Sequence, residues 1–325
     1  MNRRQALLAY AALAAFAARA QPTRRRIGVL LQTRTGDQDM VAILQETLRA
    51  SGFAEGRDVE LVIESAELHA AHGPEAARRV VAARPDVIYA TTEPLVDAVR
   101  KEAGRIPIVF NSVTEPVARG YVRALAQPGG NLTGVTDRYV EVGLKRLELL
   151  RAIAPRSRKV AFVRSDEDEV GLAQWRSAAR QLGFEVEEVN TARQSESLAA
   201  ALEAAHARGV DSLFPIGLLR DPADPAANAV PVFMASILRH RVPAVFSSTT
   251  VVERRGGLAS ISIDVAEAMR LGAEMVVRIL KGENPARMPV QEPDRFIVVL
   301  NLSAARQIGI AFPQAVLLRA THVVE

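Results

Sequence analysis

The sequence predicts an α/β protein of two similar, doubly wound parallel-sheet lobes joined by a hinge of several strands. Three observations carry that prediction. From Ile27 onward, short continuous apolar runs alternate with segments of helical periodicity. The alternation breaks at Pro128-Gly129-Gly130-Asn131 and then restarts. The second series also matches the first at four places in the same order. Continuous apolar runs suit strands buried on both faces of a parallel sheet, and strand–helix alternation builds such a sheet.

The elements follow in turn. Ile27-Gly28-Val29-Leu30-Leu31 is the first strand, after Arg24-Arg25-Arg26. Residues 37–51 read as a helix with Val41, Leu44 and Leu48 on one face, stopped by Gly52. Val59–Ile63 is a strand, Pro74–Ala83 a helix, Asp86–Ala90 a strand, Glu93–Lys101 a helix and Ile106–Phe110 a strand. Leu132–Val135 adds one more strand, and Tyr139–Ile153 is a helix with Val140, Leu144 and Leu147 in register. The second series runs Lys159–Val163, helix Val170–Leu182, strand Val186–Val189, helix Ser195–Ala207, strand Asp211–Pro215, helix Ala226–His240 and strand Val242–Phe246. The Val170–Leu182 helix faces inward with Leu172, Trp175, Ala179 and Leu182, so Trp175 reads as core rather than as a ligand platform. Gly257–Ile263 is a strand, and Asp264 opens a helix on which Val265, Met269, Gly272, Val276 and Ile279 recur. Arg295–Leu300 is a strand and Ser303–Gly309 a short helix.

The internal matches pair Arg26–Leu30 with Lys159–Val163, Ser51-Gly52-Phe53 with Leu182-Gly183-Phe184, Asp86–Tyr89 with Asp211–Phe214, and Ile106–Ser112 with Val242–Ser248. Their offsets of 133, 131, 125 and 136 residues are far too long for a solenoid and imply one topology used twice. The lobes are expected at residues 24–135 plus 264–292 and 136–263 plus 293–325, with residues 1–20 outside both.

Those first twenty residues carry Arg3 and Arg4, an apolar Ala6–Ala18 stretch and Ala18-Arg19-Ala20, a cleavage-site pattern. This order reads as a signal peptide cut near Ala20, used by the general or the twin-arginine export route. The expected location is the periplasm. Composition agrees with a globular chain, 49% hydrophobic and 24% charged. The formal charge of +4 falls to +1 once residues 1–20 are removed, so the mature chain lacks the basic excess expected of a nucleic-acid binder. The absence of cysteine excludes disulfides, thiolate metal sites and a cysteine nucleophile.

In open parallel sheets ligands lie at the carboxyl ends of the strands. Polar, small residues collect there. The first series contributes Gln32, Thr33, Thr91, Thr92, Glu93, Thr114 and Glu115, with Asn111-Ser112-Val113 between them. The second contributes Ser165, Asp166, Gly217, Ser247 and Ser248, followed by Thr249-Thr250, and then Asp264 after the last strand. Several precede helices, whose free N–H groups favour carboxylates, although Thr92, Asp166 and Asp264 are also ordinary capping residues. No nucleophile elbow, phosphate loop, dinucleotide fingerprint or zinc motif occurs, so neither a cofactor nor an enzyme is expected. His69 and His72 have a chelating spacing without a third ligand. Asp166-Glu167-Asp168-Glu169 reads as acids at a helix start rather than a calcium loop. Asn131-Leu132-Thr133 is a glycosylation sequon in form only, behind a signal peptide of bacterial type.

From Ile27 to its end the chain resembles the ABC transporter substrate-binding proteins of the periplasmic type I fold, in the branch that includes tryptophan and phenylalanine binders. The resemblance rests on Gly52–Val59, Pro85–Ile88, Ile106–Phe110, Pro128-Gly129-Gly130-Asn131-Leu132-Thr133-Gly134-Val135, Leu147–Leu150, Gly256-Gly257-Leu258, Arg278–Gly282 and Leu317–Ala320. The Pro-Gly-Gly-Asn block is its most specific part. The resemblance implies a monomeric receptor that closes on a small molecule, an amino acid or related carboxylate, and delivers it to an inner-membrane ABC permease. Two departures place carboxylates near the expected cleft: Thr91-Thr92-Glu93 replaces the family's Gly-Thr-type loop, and Glu115-Pro116 replaces its Asp-Pro. Glu93, Glu115 or Asp264 could then hold an ammonium group. The alternative function is a periplasmic sensor that presents its ligand to a membrane partner; an enzyme using these acids lacks every other part.

Overall fold

A computed structural model describes residues 24–34, 37–67, 70–164, 170–190, 197–217, 220–221, 224–228 and 230–325. The expected signal peptide, the His69 half of the histidine pair and the Asp166–Glu169 acids lie outside them. The chain divides into two compact units. Unit 1 holds the chain up to Val113 with Arg119–Val135 and Met269–Gln291; unit 2 holds Thr114–Ala118, Thr136–Ala268 and Glu292–Glu325.

Unit 1 is a five-stranded sheet in the order β2-β1-β3-β4-β5. Its strands are β1 (Arg25–Leu31), β2 (Val59–Ser65), β3 (Val87–Ala90), β4 (Ile108–Val113) and β5 (Leu132–Thr136). The first four run parallel, with Leu30 beside Ala90 and Ala90 beside Phe110. The strands are apolar because helices cover them. α1 (Gln38–Ala50) buries Met40, Leu44 and Leu48. Met40 takes the place on that stripe expected of Val41, which is only half-buried. α2 (Gly73–Ala82) buries Ala76, Ala77 and Val80, and α3 (Glu93–Glu102) buries Leu95, Val96 and Val99.

Unit 2 opens with α4 (Tyr139–Ile153). β6 (Lys159–Arg164), β7 (Glu185–Asn190) and β8 (Ser212–Ile216) then form a parallel sheet in the order β7-β6-β8. α5 (Leu172–Gln181) and α6 (Leu198–Ala207) pack on it, the second capped by the Ser197 hydroxyl. A bridge from Leu213 to Ala244 continues this sheet into β11 (Val245–Phe246), β12 (Ala259–Ile263), β13 (Phe296–Asn301) and β14 (His322–Val324). β12 and β13 are antiparallel, while β11 and β14 run parallel to their neighbours. Trp175 is fully buried, with its indole N–H donating to Val140 O at 2.8 Å.

Several expectations need correction. Residues 226–228 are not helical. β9 (Arg220–Asp221) and β10 (Asp224–Asn228) form an antiparallel pair, and α7 (Val230–His240) starts only at Val230. Pro231 explains the late start: a proline is tolerated in a first helical turn and breaks a helix interior. The polar run after Phe246 contains a helix, α8 (Thr249–Arg255), ended by Gly256 at φ +76°. α9 (Val265–Leu280) begins where expected, yet Val265 is exposed; Gly272 meets the Tyr89 ring, whose hydroxyl donates to Met269 O. α10 (Leu302–Ile308), α11 (Gln314–Leu317) and β14 complete the tail, the last two beyond the elements that the sequence pattern predicts.

Candidate functional site

In unit 1 the predicted residues gather at the carboxyl ends of parallel strands. Past β1, Gln32 N–H and Thr33 N–H both donate to Asp37 Oδ2, at 2.8 and 3.0 Å. Those amides, expected to be free, are therefore already engaged. Thr91 follows β3 and hydrogen-bonds back to Leu30 O. Thr92 is the N-cap of α3, with extended backbone but no side-chain capping bond. Glu93 opens that helix and faces Arg119 at 3.8 Å, while its carbonyl accepts from the Tyr121 hydroxyl. Asn111 and Ser112 lie in the last three residues of β4, before Val113. Ser112 has φ +53°, left-handed for a non-glycine residue.

In unit 2, Thr114 Oγ1 donates to Asp137 Oδ2 at 2.7 Å, and Asp137 Oδ1 accepts from Tyr139 N–H. The Tyr139 hydroxyl accepts from Gly217 N–H at 2.9 Å. Thr114 and Gly217, far apart in sequence, thus meet through Asp137 and Tyr139, neither of which the sequence singles out. Glu115 is exposed with φ +48°. Ser247 follows β11, and Ser248 is the N-cap of α8 without a side-chain bond. Asp264 is taken up structurally: Oδ1 caps α9 by accepting from Glu267 N–H, and Oδ2 pairs with Arg295 at 3.0 Å. Of the three carboxylates expected for an ammonium group, Glu93 and Asp264 already face arginines and Glu115 faces solvent. Ser165 and Asp166 lie outside the described residues.

A residue the sequence reading missed controls the same strand ends. Arg146 is fully buried on α4. Its guanidinium donates to Val245 O and Pro215 O and lies 4.3 Å above the Phe214 ring. No carboxylate among the described residues pairs with it. Burial pulls its pKa down to about 10, which leaves it charged at neutral pH.

The Pro-Gly-Gly-Asn block is structural. Asn131 Nδ2 donates to Gly104 O and Ile106 O, and Thr133 Oγ1 donates to Met288 O. Gly129 has φ +75° and its N–H donates to Ala286 O. These bonds use the sequon residues internally.

Two histidines sit elsewhere in unit 2. The rings of His206 on α6 and His240 on α7 stack with centroids 4.0 Å apart. His206 meets Val210 O and Ser236 Oγ; His240 Nε2 meets Glu203, which also faces Arg239. Burial, aided by His240, lowers the His206 pKa below its usual value. The hydrogen bond from His240 lowers that of Glu203. With His206 depressed, the unfolded chain binds more protons near pH 6, so stability is full above about pH 6.5 and falls as pH drops below it. Glu203 adds a further loss at lower pH, through its own folded pKa. The melting temperature should therefore fall from pH 7 to pH 5.5, and less so in His206→Gln; equal falls would contradict this assignment. Among the described residues no group of three His, Asp or Glu side chains is placed to hold a metal. Nor is any described helix long and apolar enough to cross a membrane.

Two parallel-sheet units with polar strand ends, entered by a chain that passes repeatedly from one to the other, define the periplasmic binding protein type I fold. Residues 32–324 match the family described as ABC transporter substrate binding protein, and the chain belongs to that family. A curated relative, the "Tyrosine-binding protein" of Clostridioides difficile, is 24% identical over 261 residues, 79% of this chain and 72% of that one. Among solved structures, an ABC domain in complex with L-Trp from Streptococcus pneumonia aligns with TM-score 0.78 at 24% identity, over 93% of this chain and all of that one. A conserved domain protein from Vibrio cholerae aligns with TM-score 0.77 at 27% identity, with the same coverage. The ligand-free, open structure of a substrate binding protein from Clostridium difficile aligns with TM-score 0.71 at 23% identity, over 92% and 99% of the chains.

Proposed function

We propose that this chain is the exported solute-binding protein of an ABC importer, that it takes a free amino acid, and that aromatic L-amino acids are its first candidates. The family match over residues 32–324 carries the reading. The amino-acid class is supported by the relatives named for tyrosine and L-Trp. The ligand binds at the carboxyl ends of the parallel strands, where Thr91, Thr92, Thr114, Glu115, Ser247 and Ser248 supply polar contacts. The two units act as lobes that close on it, and closure strengthens those contacts by removing water. The buried charge of Arg146, without a described counter-ion, favours a carboxylate near the ends of β8 and β11. The Arg-Arg, apolar and Ala-Arg-Ala order of residues 3–20 directs the chain to the periplasm, where a permease in the inner membrane receives the ligand.

The test is a thermal-shift panel on the mature chain from Gln21, unfolded and refolded to remove carried ligand. Tryptophan, tyrosine, phenylalanine, other amino acids, sugars and nucleosides are each added in excess. A ligand at a hundred times its dissociation constant stabilises by about 2.7 kcal/mol, a rise of roughly 5 °C for a chain of this size. A rise confined to amino acids supports the reading. A rise with sugars or nucleosides alone overturns the amino-acid class.

A further inference from the structure

One buried acceptor in unit 1 has lost its water without gaining a bond. Asn111 stands one residue past the Ala90–Phe110 pair, the last in that register, at the carboxyl end of the parallel sheet. It is 3% exposed, and its Oδ1 has no hydrogen-bond partner among the described residues. A buried carbonyl left in this state is destabilising. Packing does not require an amide there. The strand around it is Val109, Phe110 and Val113, all fully buried. Alternation along β4 puts Asn111 on the face of Val109, itself fully buried, and opposite Ile108 and Phe110. The next residue, Ser112, holds a left-handed backbone that non-glycine residues seldom adopt, and such positions collect at ligand sites.

We propose that Asn111 contacts the ligand, its Oδ1 accepting a hydrogen bond from the α-ammonium group of the amino acid. The proposal rests on the amino-acid reading above and names the residue that enforces it. An acceptor shielded from water makes a bond that solvent does not contest. A ligand lacking the donor leaves that acceptor unpaired, so the site rejects it strongly. Neither Glu93 nor Asp264 is needed for the ammonium group, which agrees with the arginines that already face them.

The test compares the mature wild-type chain with Asn111→Leu and Asn111→Asp. Calorimetry measures affinity for L-tyrosine and for 3-(4-hydroxyphenyl)propionate, the same molecule without its ammonium group. Wild type should prefer tyrosine. Asn111→Leu should weaken tyrosine binding at least tenfold and leave the deamino analogue unchanged, so the preference collapses. Its ligand-free melting temperature should equal or exceed that of wild type, because an unpaired buried acceptor has been replaced by an apolar group of similar size. Asn111→Asp, which keeps the acceptor, should retain or increase the preference. An unchanged preference in Asn111→Leu, or a reduced one in Asn111→Asp, overturns the assignment. A lower ligand-free melting temperature in Asn111→Leu with intact preference would mark the amide as structural. If the wild-type chain binds no amino acid at all, the functional reading falls together with this assignment; if it binds and the preference ignores Asn111, only the assignment falls.

Discussion

Replacing Arg146 with alanine is expected to destabilise unit 2 by about 3–5 kcal/mol, the cost of a large buried side chain removed and of carbonyls left unpaired. The guanidinium spans two strand ends, donating to Pro215 O of β8 and Val245 O of β11. Among the described residues these strands are joined in the sheet by the bridge from Leu213 to Ala244, and the arginine adds a second tie between the two halves of that sheet. Phe214 beneath it would lose its cation partner, and the aromatic group of Phe162, Phe214 and Trp175 would border a cavity. At about 2–4 °C per kcal/mol the melting temperature should fall by roughly 10 °C. Arg146→Met separates the contributions: it fills much of the volume but supplies no donor, so it should recover part of the loss and not all. Circular dichroism melts of the ligand-free chain decide the matter. A loss under about 1 kcal/mol for the alanine variant would mean that water serves those carbonyls equally well.

The position of Arg146 also shows what the sequence could and could not reveal. One half of the Lys145-Arg146 pair on α4 lies near the surface, where Lys145 reaches Glu141. The other half enters the core because its acceptors are carbonyls at two strand ends, and main-chain acceptors leave no mark in a sequence. Strand and helix alternation was legible because burial on both faces demands continuous apolar runs; Ile27–Leu31 and Val160–Val163 are wholly buried. The Tyr139–Ile153 helix was legible to its ends, yet its inward face centres on Val142, Leu147 and Leu150, with Val140 and Leu144 only half-buried. Short terminal elements such as Gln314–Leu317 and His322–Val324 carry too few residues for a period to show. The strand-end residues were legible as a set, because parallel topology dictates where they collect. Their individual roles were not. Glu93 and Asp264 look like free acids until Arg119 and Arg295 are brought beside them by folding. Asn111, by contrast, looks like one more polar strand end until its burial is known.

The second large effect concerns the Pro-Gly-Gly-Asn block, where neighbouring glycines should respond with opposite sign. A Cβ at Gly134 would overlap the Phe110 carbonyl oxygen and come within 2.5 Å of Phe110 Cδ2. The oxygen belongs to β4, the strand beside β5, so it cannot swing aside as a flexible side chain would. Phe110 is itself fully buried. Accommodating the methyl group must push β5 off β4, and Gly134→Ala is expected to cost about 3 kcal/mol or more. At Gly130 a Cβ would meet nothing within 4 Å, and the backbone is not left-handed. Gly130→Ala should therefore be neutral or stabilise by up to about 1 kcal/mol, through the reduced freedom of the unfolded chain. Urea unfolding of the two variants measures both signs in one experiment. β5 also carries the chain out of unit 1 at Val135, so a displaced β5 should weaken ligand binding as well as stability, although no residue of the block is assigned a ligand contact. Equal stabilities for the two variants would remove the steric account. A weakened ligand affinity in Gly130→Ala with unchanged stability would instead give the block a direct part in binding.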